Sequence, residues 1–126
     1  MKISRLDHLV LTVADIEASC QFYQSALNFE VITFGENRKA LRFGTQKINL
    51  HQVGKEFEPK ALSPTAGSAD LCFIAETPID EVMAHLHVQN INIVEGPIER
   101  TGATGKILSI YLRDPDQNLI EISNYQ

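Results

Sequence analysis

One order of elements occurs twice along this chain, and that repetition constrains the fold more than any single motif. "RLDHLVLTV" (Arg5–Val13) alternates, with Leu9, Leu11 and Val13 on one side, as a strand does. Asp15 is then placed to cap a helix over "IEASCQFYQSAL", whose apolar residues recur at helical spacing up to Asn28. "FEVITF", "KALRFG" and "QKINLHQV" follow as three short strands, with "GEN" and "GT" as turns. A polar segment with two prolines, residues 54–67, has no period and reads as a connector. The order then begins again. "ADLCFIA" is a strand, "TPIDEVMAHLHVQN" a helix with Thr77 as cap and Pro78 at its first position, and "INIVEGPI", "GKILSIYL" and "NLIEISN" are strands. The chain reads as an α+β protein of two βαβββ modules, about 1–53 and 68–126, within one domain.

Alternation sorts the chemistry onto faces. Strand side chains point alternately to the two sides of a sheet. Leu9, Leu11 and Val13 oppose His8, and Ile48 and Leu50 oppose Asn49 and His51. Leu71, Phe73 and Ala75 oppose Asp70, and Ile120 and Ile122 oppose Glu121. The aliphatic sets are the natural seats of the two helices. Laying "DHLVLTVADIE" over "ADLCFIAETPID" and "QKINLHQ" over "QNLIEIS" puts His8 over Asp70, and His51 over Glu121 to within about a residue. A carboxylate inside an apolar strand is costly unless something compensates it. One strand histidine alone is more often structural than a ligand, and one strand carboxylate usually faces water. Four such residues at matching places suit a divalent ion: nitrogens for Zn, Ni, Fe or Co, oxygens for Mn, Mg, Fe or Zn.

Composition removes several classes. A net charge of -5 argues against a nucleic-acid partner. The opening residues contain no apolar signal core, and no long apolar run follows, so a soluble cytoplasmic protein without membrane segments is expected. Cys20 and Cys72 lie inside apolar patterns and read as buried free thiols. His85 and His87, two apart on a helix, share no face and read as surface residues.

"LDHLVLTVADIEASCQFYQSALNFEV" and "YLRDPDQNLIEI" resemble the opening and close of the vicinal oxygen chelate superfamily of glyoxalases, bleomycin-resistance proteins and extradiol dioxygenases. Nearly the whole chain is covered, and it looks most like glyoxalase-domain proteins of unassigned substrate. The resemblance implies paired modules whose sheets form a cupped, barrel-like surface with the helices outside. It implies a divalent ion (Zn, Ni, Mn, Fe or Co) held by His8, His51, Asp70 and Glu121. It also implies a homodimer, with sites completed by modules of both chains. The chain departs from the enzymes in offering two histidines from one module and two carboxylates from the other. Asp70 stands where dioxygenases and fosfomycin-resistance proteins carry histidine.

The expected activity is that of a metal-dependent lyase or isomerase of glyoxalase I type, acting on a small, oxygenated, anionic substrate. Metal chelation would stabilise the developing oxyanion while Glu121, or secondarily Asp70, moves the carbon-bound proton. Ser109, Tyr111 and Arg113 share a face of "KILSIYLR" and are expected to contact substrate, although Arg113 beside "DPD" also suits a turn. "RTGATGK" reads as a lid or as an ordinary hairpin loop. The alternatives are an Fe(II)-dependent dioxygenase using His8, His51 and one carboxylate, and a non-enzymatic binder of small molecules.

Overall fold

The computed structural model describes residues 1–126, which divide into two compact units, Met1–Gly67 and Ser68–Gln126. Each unit carries one open sheet of four strands and one helix. No helix is long and apolar enough to cross a membrane.

In the first module the elements are β1 (His8–Val13), α1 (Ile16–Leu27), β2 (Glu30–Phe34), β3 (Arg38–Phe43) and β4 (Gln46–Gln52). The strand order is β1-β4-β3-β2, with β1 parallel to β4 and the remaining pairs antiparallel. Asp15 caps α1 through its carboxylate, which accepts from Ala18 N at 3.1 Å. Asn28 ends the helix in the left-handed conformation, at φ 56°. Tyr23 of the helix stacks on Phe29 (5.8 Å), which in turn stacks on Phe43 (4.5 Å), and Leu41, Ile48 and Leu50 are buried in the same module.

In the second module the elements are β5 (Asp70–Ile74), α2 (Ile79–Val88), β6 (Glu95–Thr101), β7 (Lys106–Arg113) and β8 (Leu119–Tyr125). The order is β5-β8-β7-β6, the same plan as the first sheet. Ile79, Leu86, Ile110, Leu112, Ile120 and Ile122 make its core. Burying an aliphatic side chain of this size contributes about 1.5–3 kcal/mol.

Three boundaries differ from the sequence reading. Thr77 does not cap α2. Pro78 occupies the cap position without a side-chain bond, and Asn124 of β8 accepts from Ile79 N at 2.7 Å instead. The sixth strand begins at Glu95 and not at Ile91, because a register shift between Glu95 and Ile98 sets its start. Arg100 and Thr101, read as loop, belong to this strand. The short loop that follows is tied down, with Gly102 N donating to Gly105 O at 2.7 Å and Thr104 N to Tyr125 Oη at 3.1 Å.

Candidate functional site

In module 2 the face of the sheet turned away from α2 bears a cleft of about 520 Å³. Asp70, Glu95, Arg100, Tyr111, Arg113 and Glu121 supply its polar lining. Register explains the gathering. Glu121 pairs with Cys72 on one side and Tyr111 on the other, and Tyr111 pairs with Glu95. Asp70 and Arg113 flank Leu119 one row along. Buried Asn118 fixes that row. Its Oδ1 accepts from Ala69 N (2.8 Å), immediately before Asp70, and its Nδ2 donates to Asp114 Oδ2 (2.8 Å). Asp114 also accepts from the backbone of Asp116 and Asn118 (2.9 Å each). The "DPDQN" turn is therefore a clamp that sets Asp70 beside the start of β8.

Arg100 Nε donates to Tyr111 Oη at 3.0 Å, and Arg100 Nη2 lies 3.4 Å from Glu95 Oε1. Burial pushes the Tyr111 phenol up, the Arg100 bond opposes this, and the Glu121 charge adds to it. Tyr111 keeps its proton and can donate it. Neither Glu95 nor Arg100 was singled out in the sequence. The placement of Arg100 rests on the β6–β7 register, in which it pairs with Ile107. Arg113 lines the cleft and also donates from Nη1 to Gln117 O (3.2 Å). Ser109 is on the expected face but fully buried. Its hydroxyl bonds Ser123 Oγ at 2.7 Å, and Ser123 Oγ reaches Glu121 Oε1 at 3.5 Å. It reaches Glu121 only through Ser123 and does not line the cleft. Cys72 is exposed, a correction to the buried thiol expected, while Cys20 is buried.

In module 1 the corresponding face carries three cross-sheet rows. Phe34, Arg38, His51 and Thr12 make one; Ile32, Ala40, Asn49 and Val10 the next; Glu30, Arg42, Lys47 and His8 the third. His8 is half-exposed, with Nδ1 2.9 Å from Asp7 Oδ2. That bond holds the Asp7 carboxyl below its ordinary range. A carboxylate on Nδ1 leaves Nε2 free as a lone-pair donor, the arrangement a metal-binding imidazole uses. His51 is buried against Phe57, and its Nε2 lies 3.4 Å from Arg38 Nη2. Burial and then the Arg38 charge keep it below the usual imidazole value, with Glu56 opposing.

The register corrects the overlay of the two modules. His8 pairs with Lys47 as Asp70 pairs with Leu119, so Glu121 corresponds to Asn49, and His51 corresponds to Ser123. The helix caps agree. Gln52 accepts from Ile16 N at the start of α1, as Asn124 does from Ile79 N at the start of α2. The sequence overlay was two residues out. His8 and His51 stand two rows apart, about 13 Å along the strands. No three His, Cys, Asp or Glu side chains of the chain gather closely enough to hold an ion.

A model of the Glyoxalase/Bleomycin resistance protein/Dioxygenase superfamily matches residues 5–122. The chain belongs to that superfamily. It is 64% identical over 125 residues to a virulence protein, STM3117, of Salmonella typhimurium, covering 99% of this chain and 87% of that one. The crystal structure of that protein superposes with a TM-score of 0.98, each chain covered in full. A glyoxalase domain-containing protein, RDO1, of Mycosarcoma maydis is 56% identical over all of this chain and 71% of its own. At the level of fold alone, a mutant fosfomycin resistance protein, FosX, of Listeria monocytogenes superposes with a TM-score of 0.67 at 23% identity, over 99% of this chain and 93% of that one. FosX was crystallised with Mn(II) and a dihydroxypropylphosphonic acid.

Proposed function

We propose that this chain is a metal-dependent lyase or isomerase that moves a carbon-bound proton of a small, oxygenated, anionic substrate. The observation that carries the reading is the cleft of module 2, where Asp70 and Glu121 meet the proton-bearing Tyr111 phenol, itself held by the Arg100–Glu95 pair. The superfamily, and the Mn(II) in FosX, support a divalent ion.

The donors proposed for it are His8 from the first module of one copy and Asp70 and Glu121 from the second module of a second copy in a homodimer. The donor chemistry fits: an imidazole oriented by Asp7, and two carboxylates to balance a 2+ charge. His51 is left out of the set, since its row differs and its Nε2 faces a cation. Without it the two-histidine, one-carboxylate arrangement of an Fe(II) oxygenase is not made, which favours the lyase reading.

The ion supplies Lewis acidity to substrate oxygens. Glu121 takes the proton from carbon, and its position on a strand held by Ser123 limits the geometry of that transfer. Tyr111 donates a hydrogen bond to the oxygen that gains charge, and Arg100 keeps that phenol in place. Glu95 holds Arg100 in turn.

Elemental analysis tests the reading. Purified protein should hold about one divalent ion per chain, lost in His8→Ala and in Glu121→Gln. Substrate-class screening should then show deuterium uptake at carbon without oxygen consumption. Absence of metal after exposure to Mn, Zn, Ni and Fe(II) would sink it and leave a small-molecule binder.

A further inference from the structure

A second feature stands apart from the metal reading and lies wholly within the unit Met1–Gly67. Arg38 has its guanidinium 4.9 Å from the ring centre of Phe34 and 4.5 Å from that of Phe57. Its one polar contact is with His51. Its Nε is buried with no acceptor, and no carboxylate pairs with it. On the same face, Arg42 is paired with Glu30 at 2.7 Å. Lys47 adds a second cation over the same ring, its Nζ 4.1 Å from the Phe34 ring centre. Asn49 is buried in the next row, its Oδ1 also without a partner.

A partly desolvated cation without a counter-charge is costly, and aromatic faces compensate only part of that cost. Arginine in such a setting is suited to an oxyanion, which its forked donors match. We propose that Arg38, flanked by Phe34 and Phe57 and joined by Lys47, is a binding subsite for the oxyanion of a small ligand. The group is a carboxylate, or a phosphate or phosphonate. His51 fixes the guanidinium by accepting from Nη2, which leaves the other terminal N–H groups for the ligand.

Calorimetric titration separates the sources, with acetate as the carboxylate probe and inorganic phosphate and methylphosphonate as tetrahedral ones. At least one probe should bind saturably, and the preferred probe identifies the class. Arg38→Gln should weaken it by about 10- to 100-fold. Arg42→Gln should leave it unchanged, because Arg42 is already paired. Thermal melting supplies a second readout. Arg38→Gln should melt at or above the wild-type temperature, since it removes an uncompensated charge. Saturable binding by none of the three probes would overturn the subsite. So would binding that survives Arg38→Gln, or a clear drop in melting temperature in that variant, which would mark Arg38 as structural. Glu121→Gln should retain oxyanion binding even where it loses metal, so the two readings fail separately.

Discussion

At the residue scale, two buried polar groups carry consequences that can be measured. Asn118 is fully buried, with both its side-chain donor and acceptor used, one of them on Ala69. Asn118→Ala removes the acceptor of Ala69 N and one of the donors to Asp114, and each such loss costs about 1–3 kcal/mol. Urea unfolding should show a loss of about 2–4 kcal/mol, larger than for any exposed residue of the same turn. His51 gives a pH dependence with a definite sign. Its folded-state value is lowered from 6.5, so the unfolded chain binds more protons just below that pH. The stability that His51 supports is complete above about pH 6.5 and is lost as pH falls toward the lowered value. His51→Gln should flatten that part of the stability profile in urea titrations run from pH 7.5 to 5. Arg38→Gln should shift the same step upward, since it removes the nearby positive charge.

At the element scale, what the sequence disclosed depends on how local the determinants are. The limits of α1 follow from Asp15 and Asn28, both adjacent to the helix, and the structure places them where the pattern does. The start of α2 depends on Asn124, a strand residue far along the chain, so Thr77 and Pro78 misled. The onset of β6 depends on the irregularity at Gly96, where φ is +104° and a Cβ would lie 2.4 Å from Ser109 O. Alternation correctly put Asp70, Tyr111, Arg113 and Glu121 on one face, because a two-residue period is fixed by backbone geometry. It could not tell that Ser109 is the cross-strand partner of Ser123 and buried against its hydroxyl, nor that the modules superpose with Asn49 on Glu121. Register lies in hydrogen bonds between strands, and its only trace in the sequence is the pair of capping amides, Gln52 and Asn124. Those amides are testable together. Asn124 accepts from Ile79 N and donates to Ala75 O and Thr77 O (3.0 Å each), so Asn124→Ala should cost about 2 kcal/mol by thermal unfolding. Gln52→Ala should cost less, about 1 kcal/mol, because Asp15 caps α1 as well.

At the scale of the whole molecule, the proposed donors come from both ends of the chain, His8 in the first strand and Glu121 in the last. An unfolded chain offers no such set, so an ion that binds there binds the folded state alone and must stabilise it by mass action. At one hundred times the dissociation constant this amounts to about 2.7 kcal/mol. For a chain of this length it should raise the melting temperature by about 10 °C. Chelator should reverse the rise, and His8→Ala and Glu121→Gln should melt at the same temperature with or without metal. A second dependence decides where the two modules of a site originate. When both belong to one chain, the metal-induced rise is independent of protein concentration. When a second copy supplies one of them, binding and assembly are linked, and the melting temperature of the metal-loaded protein climbs with protein concentration. Melting curves over a hundredfold range of protein, with and without Mn(II), would distinguish the two. A metal-induced rise that both variants retain would remove His8 and Glu121 from the ion, whatever the activity proves to be.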